Sequence, residues 1–144
     1  MMWMILQHEK PDDWVIATGK TVTVREFVQM AFEYVGISLR FEGSGVDEVG
    51  IVKSLDQKMI QKLGLSIDEN IIGKEVVAID SRYFRPTEVD LLLGDPSKAE
   101  KELGWRREFE LKDLVDDMMQ SDLKLMQKDE YLKEGGYSIM NYFE

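Results

Sequence analysis

A mixed α/β domain with few strands is the fold class that this sequence predicts. Three observations carry it. An amphipathic helix with its own cap is written into residues 23–35. Short β-forming runs stand at 14–18, 37–41 and 75–79. The elements also never settle into the regular strand–helix alternation of a complete doubly wound sheet. The 144 residues suit one domain, 1–144, and 44% hydrophobic content is enough for a core.

Taken in order, residues 1–9 read as a helix tail stopped by Pro11. Met1, Met2, Trp3, Met4 and Ile5 crowd its start with no cap before them, as if the chain began mid-fold. Trp14, Val15, Ile16, Ala17 and Thr18 read as a short buried strand ending at Gly19. Thr23 and Glu26 form a capping box, and Val24, Phe27, Val28, Ala31, Phe32 and Val35 then recur at helical spacing until Gly36. Residues 37–41 alternate as a strand, and Gly43, Ser44 and Gly45 make a turn. The stretch 46–74 reads as an excursion from the main body, with one helix somewhere in 56–65. A β run at 75–79 leads into a polar loop. Asp95 as N-cap and Pro96 at the first helical position open a short helix closed by Gly104. A long helix is expected over about 110–128, with Leu111, Leu114, Val115, Met118, Met119, Leu125 and Met126 on one face. The tail 133–144, with Gly135 and Gly136, is expected to be loose.

Composition narrows the chemistry. A net charge of −10 and a sequence pI near 4.6 argue against nucleic acid or an anionic membrane as partner, since both need a basic face. With no cysteine there is no disulfide, thiolate nucleophile or thiolate zinc site. A single histidine, His8, leaves little for a histidine-based triad or metal site and reads as a surface residue. No dinucleotide-binding glycine fingerprint, no P-loop and no tyrosine followed four residues later by lysine occurs.

What remains is a loop in which Arg82 and Arg85 lie three residues apart beside Pro86. Arginine suits phosphate because its planar fork donates two parallel hydrogen bonds and stays charged. Pro86 biases Arg85 towards an extended backbone, and Glu88 lies three residues further on. A cation beside a carboxylate can read a phosphate and a neighbouring ribose diol. The same spacing equally describes a surface ion pair between Arg85 and Glu88. Arg25 sits in the first turn of its helix, where a cation opposes the helix dipole but lies beside N–H groups that attract anions.

Three stretches, PDDWVIATGKTVTVREFV, LRFEGSGVDEVGIV and VAIDSRYFRPTEVDLLLGDPSKAEKELGW, together resemble the C-terminal part of the GDP-mannose 4,6-dehydratase family, within the extended short-chain dehydrogenase/reductase superfamily. The likeness runs from Met2 to about Lys128. It implies the small substrate-binding α/β domain of a lyase that converts GDP-mannose to GDP-4-keto-6-deoxymannose, on the way to GDP-fucose and related deoxysugars. The NADP-binding Rossmann half, with its catalytic Thr, Glu, Tyr and Lys, has no counterpart in this sequence. By the resemblance, Arg85 contacts the GDP diphosphate, Glu88 a hydroxyl of the nucleotide sugar, and Arg25 the diphosphate from its helix. Arg82 receives no firm role. No catalytic, cofactor-binding or metal residue is expected here, and NADP is not expected to bind this chain alone. The expected partners are GDP-mannose, a Rossmann half and further copies of the chain, in the cytoplasm. The alternatives are a stand-alone nucleotide-sugar-binding or interaction module, or part of a related GDP-sugar reductase or epimerase.

Overall fold

The computed structural model describes residues 1–85 and 91–139. Its helices are α1 (Met2–Leu6), α2 (Val24–Tyr34), α3 (Gln57–Lys62), α4 (Ser97–Glu102) and α5 (Leu111–Glu134). Its strands are β1 (Ile37–Glu42), β2 (Val49–Leu55) and β3 (Glu75–Ala78), forming one antiparallel sheet in the order β1-β2-β3. The class is therefore mixed α/β, as the sequence predicts.

The capping box forms as read. The Glu26 backbone N–H donates to the Thr23 hydroxyl at 3.1 Å, and the Thr23 N–H donates to the Glu26 carboxylate at 2.7 Å. Gly36 then takes φ +80°, a left-handed value that turns the chain from α2 into β1. A Cβ there would lie 2.9 Å from the Asp56 carbonyl oxygen, and the Asp56 N–H donates to the Gly36 carbonyl at 2.7 Å. This bond ties the start of the sheet to the start of α3, where the Asp56 carboxylate caps Lys58 and Met59. Ile37, Leu39 and Val52 are buried against Val28 and Phe32 of α2 and Val35 just after it, with Val76 and Val77 also packed on them.

Several readings are corrected. Much of 46–74 is not an excursion: β2 is the middle strand, and Val52 is the most buried residue of the sheet core. Gly50 obscured it, because glycine weakens a strand pattern. Here it is a packing requirement, since a Cβ would sit 2.9 Å from the Val77 Cβ and 3.2 Å from the Phe41 ring.

The strand expected at 14–18 does not form. The sheet ends at β1 and β3, so this β-forming run has no ladder to join, and Val15 and Ile16 stay exposed. It runs instead beside the approach to α4. Gly94 crosses so near Ala17 that a Cβ would come within 2.5 Å of the Ala17 Cβ. The Lys98 ammonium reaches Asp12 at 2.7 Å, donates to the Asp13 carbonyl at 3.1 Å and lies 4.7 Å from the Trp14 ring centroid.

The first helix ends at Leu6, well short of Pro11, and His8 is half-buried, edge-on to Trp14 at 5.0 Å. Pro96 takes the cap position of α4, one residue later than expected, while Asp95 still accepts the Ser97 N–H at 2.9 Å. Helix α5 runs six residues past Lys128 and covers the first residues of the expected tail. Its apolar stripe is only partly used: Val115 is buried, whereas Leu114, Met118 and Met126 are exposed.

A candidate anion site at one end of the sheet

The strand register brings Glu48 and the start of the arginine loop to one end of the sheet. Glu42 pairs with Val49, and Val49 pairs with Ala78, so the β1–β2 connection and the chain leaving β3 emerge side by side. The connection is a 3-10 turn, Gly45–Asp47, followed by Glu48. Phe84, next to Arg85, comes within 4.0 Å of a Cβ built on Gly45. The arginine-bearing loop therefore lies against the β1–β2 connection.

Arg25 enters from the first turn of α2 and reaches the same place. Its Nε donates to one Glu48 oxygen at 2.6 Å and its Nη2 to the other at 2.8 Å. The guanidinium carbon also lies 5.6 Å from the centre of the Phe41 ring, in β1. The pair is asymmetric in exposure: the Glu48 side chain is 16% accessible and the Arg25 side chain 55%. Arg25 holds the Glu48 carboxyl below its usual range, chiefly by hydrogen bonding, and Glu48 raises Arg25 in turn.

Arg82 is engaged by its own loop. The Asp80 carboxylate accepts from the Arg82 backbone N–H at 2.9 Å, from Nε at 3.0 Å and from Nη2 at 2.6 Å. These bonds lower the Asp80 carboxyl and raise Arg82. The Tyr83 N–H donates to the Asp80 carbonyl at 3.0 Å, which closes the turn. Arg82 thus serves the shape of the loop. Arg85 is exposed, and Glu88 lies outside the described residues, as does any facing of the two.

Two acidic residues were missed. Asp80, two residues before Arg82, carries a local signal, because Asp commonly bonds the backbone two residues on. Glu48 carries none, being 23 residues from Arg25 and brought to it only by the hairpin. Chemically, the arrangement leaves the guanidinium groups of Arg25, Arg82 and Arg85 exposed, the first two fixed by carboxylates. Among the described residues there is no cluster of three or more potential metal-ligating His, Cys, Asp or Glu side chains, and no helix long and apolar enough to cross a membrane.

Comparison with known proteins brings a family into view. The family model described as GDP-mannose 4,6 dehydratase matches residues 1–118. A GDP-mannose 4,6-dehydratase of Vibrio cholerae serotype O1 is 46% identical over 139 residues, covering 96% of this chain and 35% of the relative. One from Drosophila melanogaster is 47% identical over 88% of this chain and 28% of its own length. One from Sinorhizobium fredii is 45% identical over 87% and 31%. The chain spans about a third of the length of these curated relatives.

Proposed function

We propose a substrate-binding role for this chain, which belongs to the GDP-mannose 4,6-dehydratase family. In this reading it is the nucleotide-sugar-binding part of an extended short-chain dehydrogenase/reductase that converts GDP-mannose to GDP-4-keto-6-deoxymannose. The observation that carries it is the extent of the likeness: 46% identity over 96% of the chain, with the family model matched over residues 1–118, which span the arginine loop. Relatives from bacteria and animals carry the dehydratase name, which supports the dehydratase over a related reductase or epimerase.

The site chemistry follows from the sheet end. Arg85 and Arg25 contact the diphosphate, where each charge-assisted fork is stronger than a neutral hydrogen bond. Glu88 accepts from a hydroxyl of the nucleotide sugar. Asp80 and Arg82 hold the turn that presents Arg85.

NADP, which would take up and return the hydride, does not fit the described residues. All pairings in the sheet are antiparallel, so no parallel βαβ unit places a helix N-terminus behind a glycine turn for its pyrophosphate. We assign NADP and the catalytic groups to the longer enzyme. The exposed apolar side chains of Trp3, Ile16 and Leu92 support docking to the rest of that enzyme or self-association.

Calorimetric titration of GDP-mannose into this chain tests the reading. Saturable binding that is lost in Arg85→Ala is expected. Absence of binding in the wild-type chain, or undiminished binding in the variant, would overturn it.

A further inference from the structure

We infer that Glu48 is a positioning residue for the diphosphate: it clamps Arg25 by one edge of the guanidinium so that the other edge meets the ligand. The inference rests on the reading that Arg25 contacts the diphosphate, and it names what makes that contact possible.

A guanidinium has five N–H donors on a rigid plane. Glu48 takes Nε–H and one Nη2–H, the edge that faces back along the side chain. One N–H of Nη1 and the remaining N–H of Nη2 make up the outer edge, a parallel fork that matches two oxygens of a phosphate, and the second Nη1–H points towards the Cδ side. A carboxylate on the outer edge would compete with such a ligand. On the inner edge it sets the plane of the fork and leaves the outer edge its full complement of donors.

Two further contacts make the clamp rigid. The Phe41 ring, 5.6 Å from the guanidinium carbon, supports one face of the plane. Glu48 is itself anchored, immediately after the 3-10 turn and immediately before the Val49–Ala78 pair of the sheet. The accessibilities agree: the clamp is largely enclosed while the cation it holds is more than half exposed. Arginine is rich in rotamers, so fixing it before binding removes an ordering cost that the ligand would otherwise bear.

The inference has a sign that simple electrostatics opposes. Removing a carboxylate near an anion site ought to tighten anion binding by relieving repulsion. Removing the clamp ought to weaken it, because Arg25 must then be ordered by the ligand.

The test is calorimetric titration of the chain with GDP. The proteins are the wild type, Glu48→Gln, Arg25→Lys, Arg25→Ala and the double variant Arg25→Ala, Glu48→Gln. Glu48→Gln is expected to weaken GDP binding about two- to tenfold, the effect of freeing one rotamer-rich side chain. In the Arg25→Ala background the same change is expected to leave binding unchanged or slightly tighter, since only the relief of repulsion remains, a reversal that a merely structural role for Glu48 would not show. Arg25→Lys, at an exposed position, keeps the charge and loses the fork. It is expected to weaken binding by a similar factor, and it decides the matter if Glu48→Gln fails to fold. Unchanged or tighter binding in Glu48→Gln, or wild-type affinity in Arg25→Lys, overturns the inference while leaving an Arg85-dependent site standing. No GDP binding by the wild-type chain overturns both this inference and the reading on which it rests.

Discussion

Val52 and Ile16 are both β-branched residues in β-forming runs, yet Val52 is 1% exposed and Ile16 is 56% exposed. The difference lies in what surrounds each run. β2 has a strand on either side and α2 packed against the sheet, so its backbone groups and its side chains are both used. The run at 14–18 touches the 91–98 segment where Ala17 meets Gly94 and Trp14 meets Lys98, and has no ladder of its own. A strand is a property of a pair, and propensity supplies only one member of it. The region from α2 to β3 contains its own core, whereas the flanks bury Ala99 and Val115 but leave many apolar residues, Ile16 among them, exposed.

The sharpest way to break this comparison is to cut the core on one side and the flank on the other. Ile60 in α3 is 2% exposed and packs next to Gly36. Ile60→Ala is expected to cost about 2–5 kcal/mol, the range for truncating a buried aliphatic side chain, and to lower the melting temperature by several degrees or more. Ile16→Ala is expected to stay within about 0.5 kcal/mol, as for an exposed position. Thermal denaturation followed by circular dichroism checks both. Equal losses would mean that the flank belongs to the same cooperative core.

Acid provides the next test. Glu48, Asp80, Asp95, Glu26 and Asp12 all have carboxyls held below their usual range by hydrogen bonds in the folded chain. A depressed folded value adds stability above the unfolded value and loses it as pH falls through the folded one. Stability is therefore expected to be flat above about pH 5 and to decline from about pH 4 downward, near the unfolded carboxylate range. Melting curves from pH 7 to pH 3 report it, and a decline centred near pH 6 would contradict it.

The smallest effect on stability is expected where the effect on association is visible. Ile16→Lys and Leu92→Lys place charges on exposed apolar positions of the flanks. They are expected to leave the melting temperature nearly unchanged and to shift the chain towards monomer in sedimentation velocity. An unaltered association state in both variants would sharpen the comparison differently, by removing these residues from any self-contact.

How much could be read in advance follows the same division. The cap at Thr23, the stripe of α2, the alternation of β1 and the run of β3 are local patterns, and each formed within a residue or so of its expected bounds. β2 was hidden because Gly50 breaks its pattern for a reason that lies on two other strands, in Val77 and Phe41. The strand at 14–18 was read from composition, and composition cannot show that a ladder partner is absent from the sheet. At the site, Arg25 and Arg85 were legible as cations in unusual local settings. Glu48 was not, since its meeting with Arg25 depends on the hairpin that returns the chain to α2.

The central claim is that a nucleotide diphosphate binds at the end of the sheet where Arg25, Glu48 and the loop of Arg82 and Arg85 come together. Amide chemical-shift mapping with GDP-mannose on the isotopically labelled chain tests it most directly. The predicted result is a compact set of shifts at Arg25, Glu48 and residues 80–85, with Val52 and the core unchanged. Shifts concentrated instead in the groove between α2, α3 and α5, at Met30, Met59, Leu63 and Val115, would contradict it.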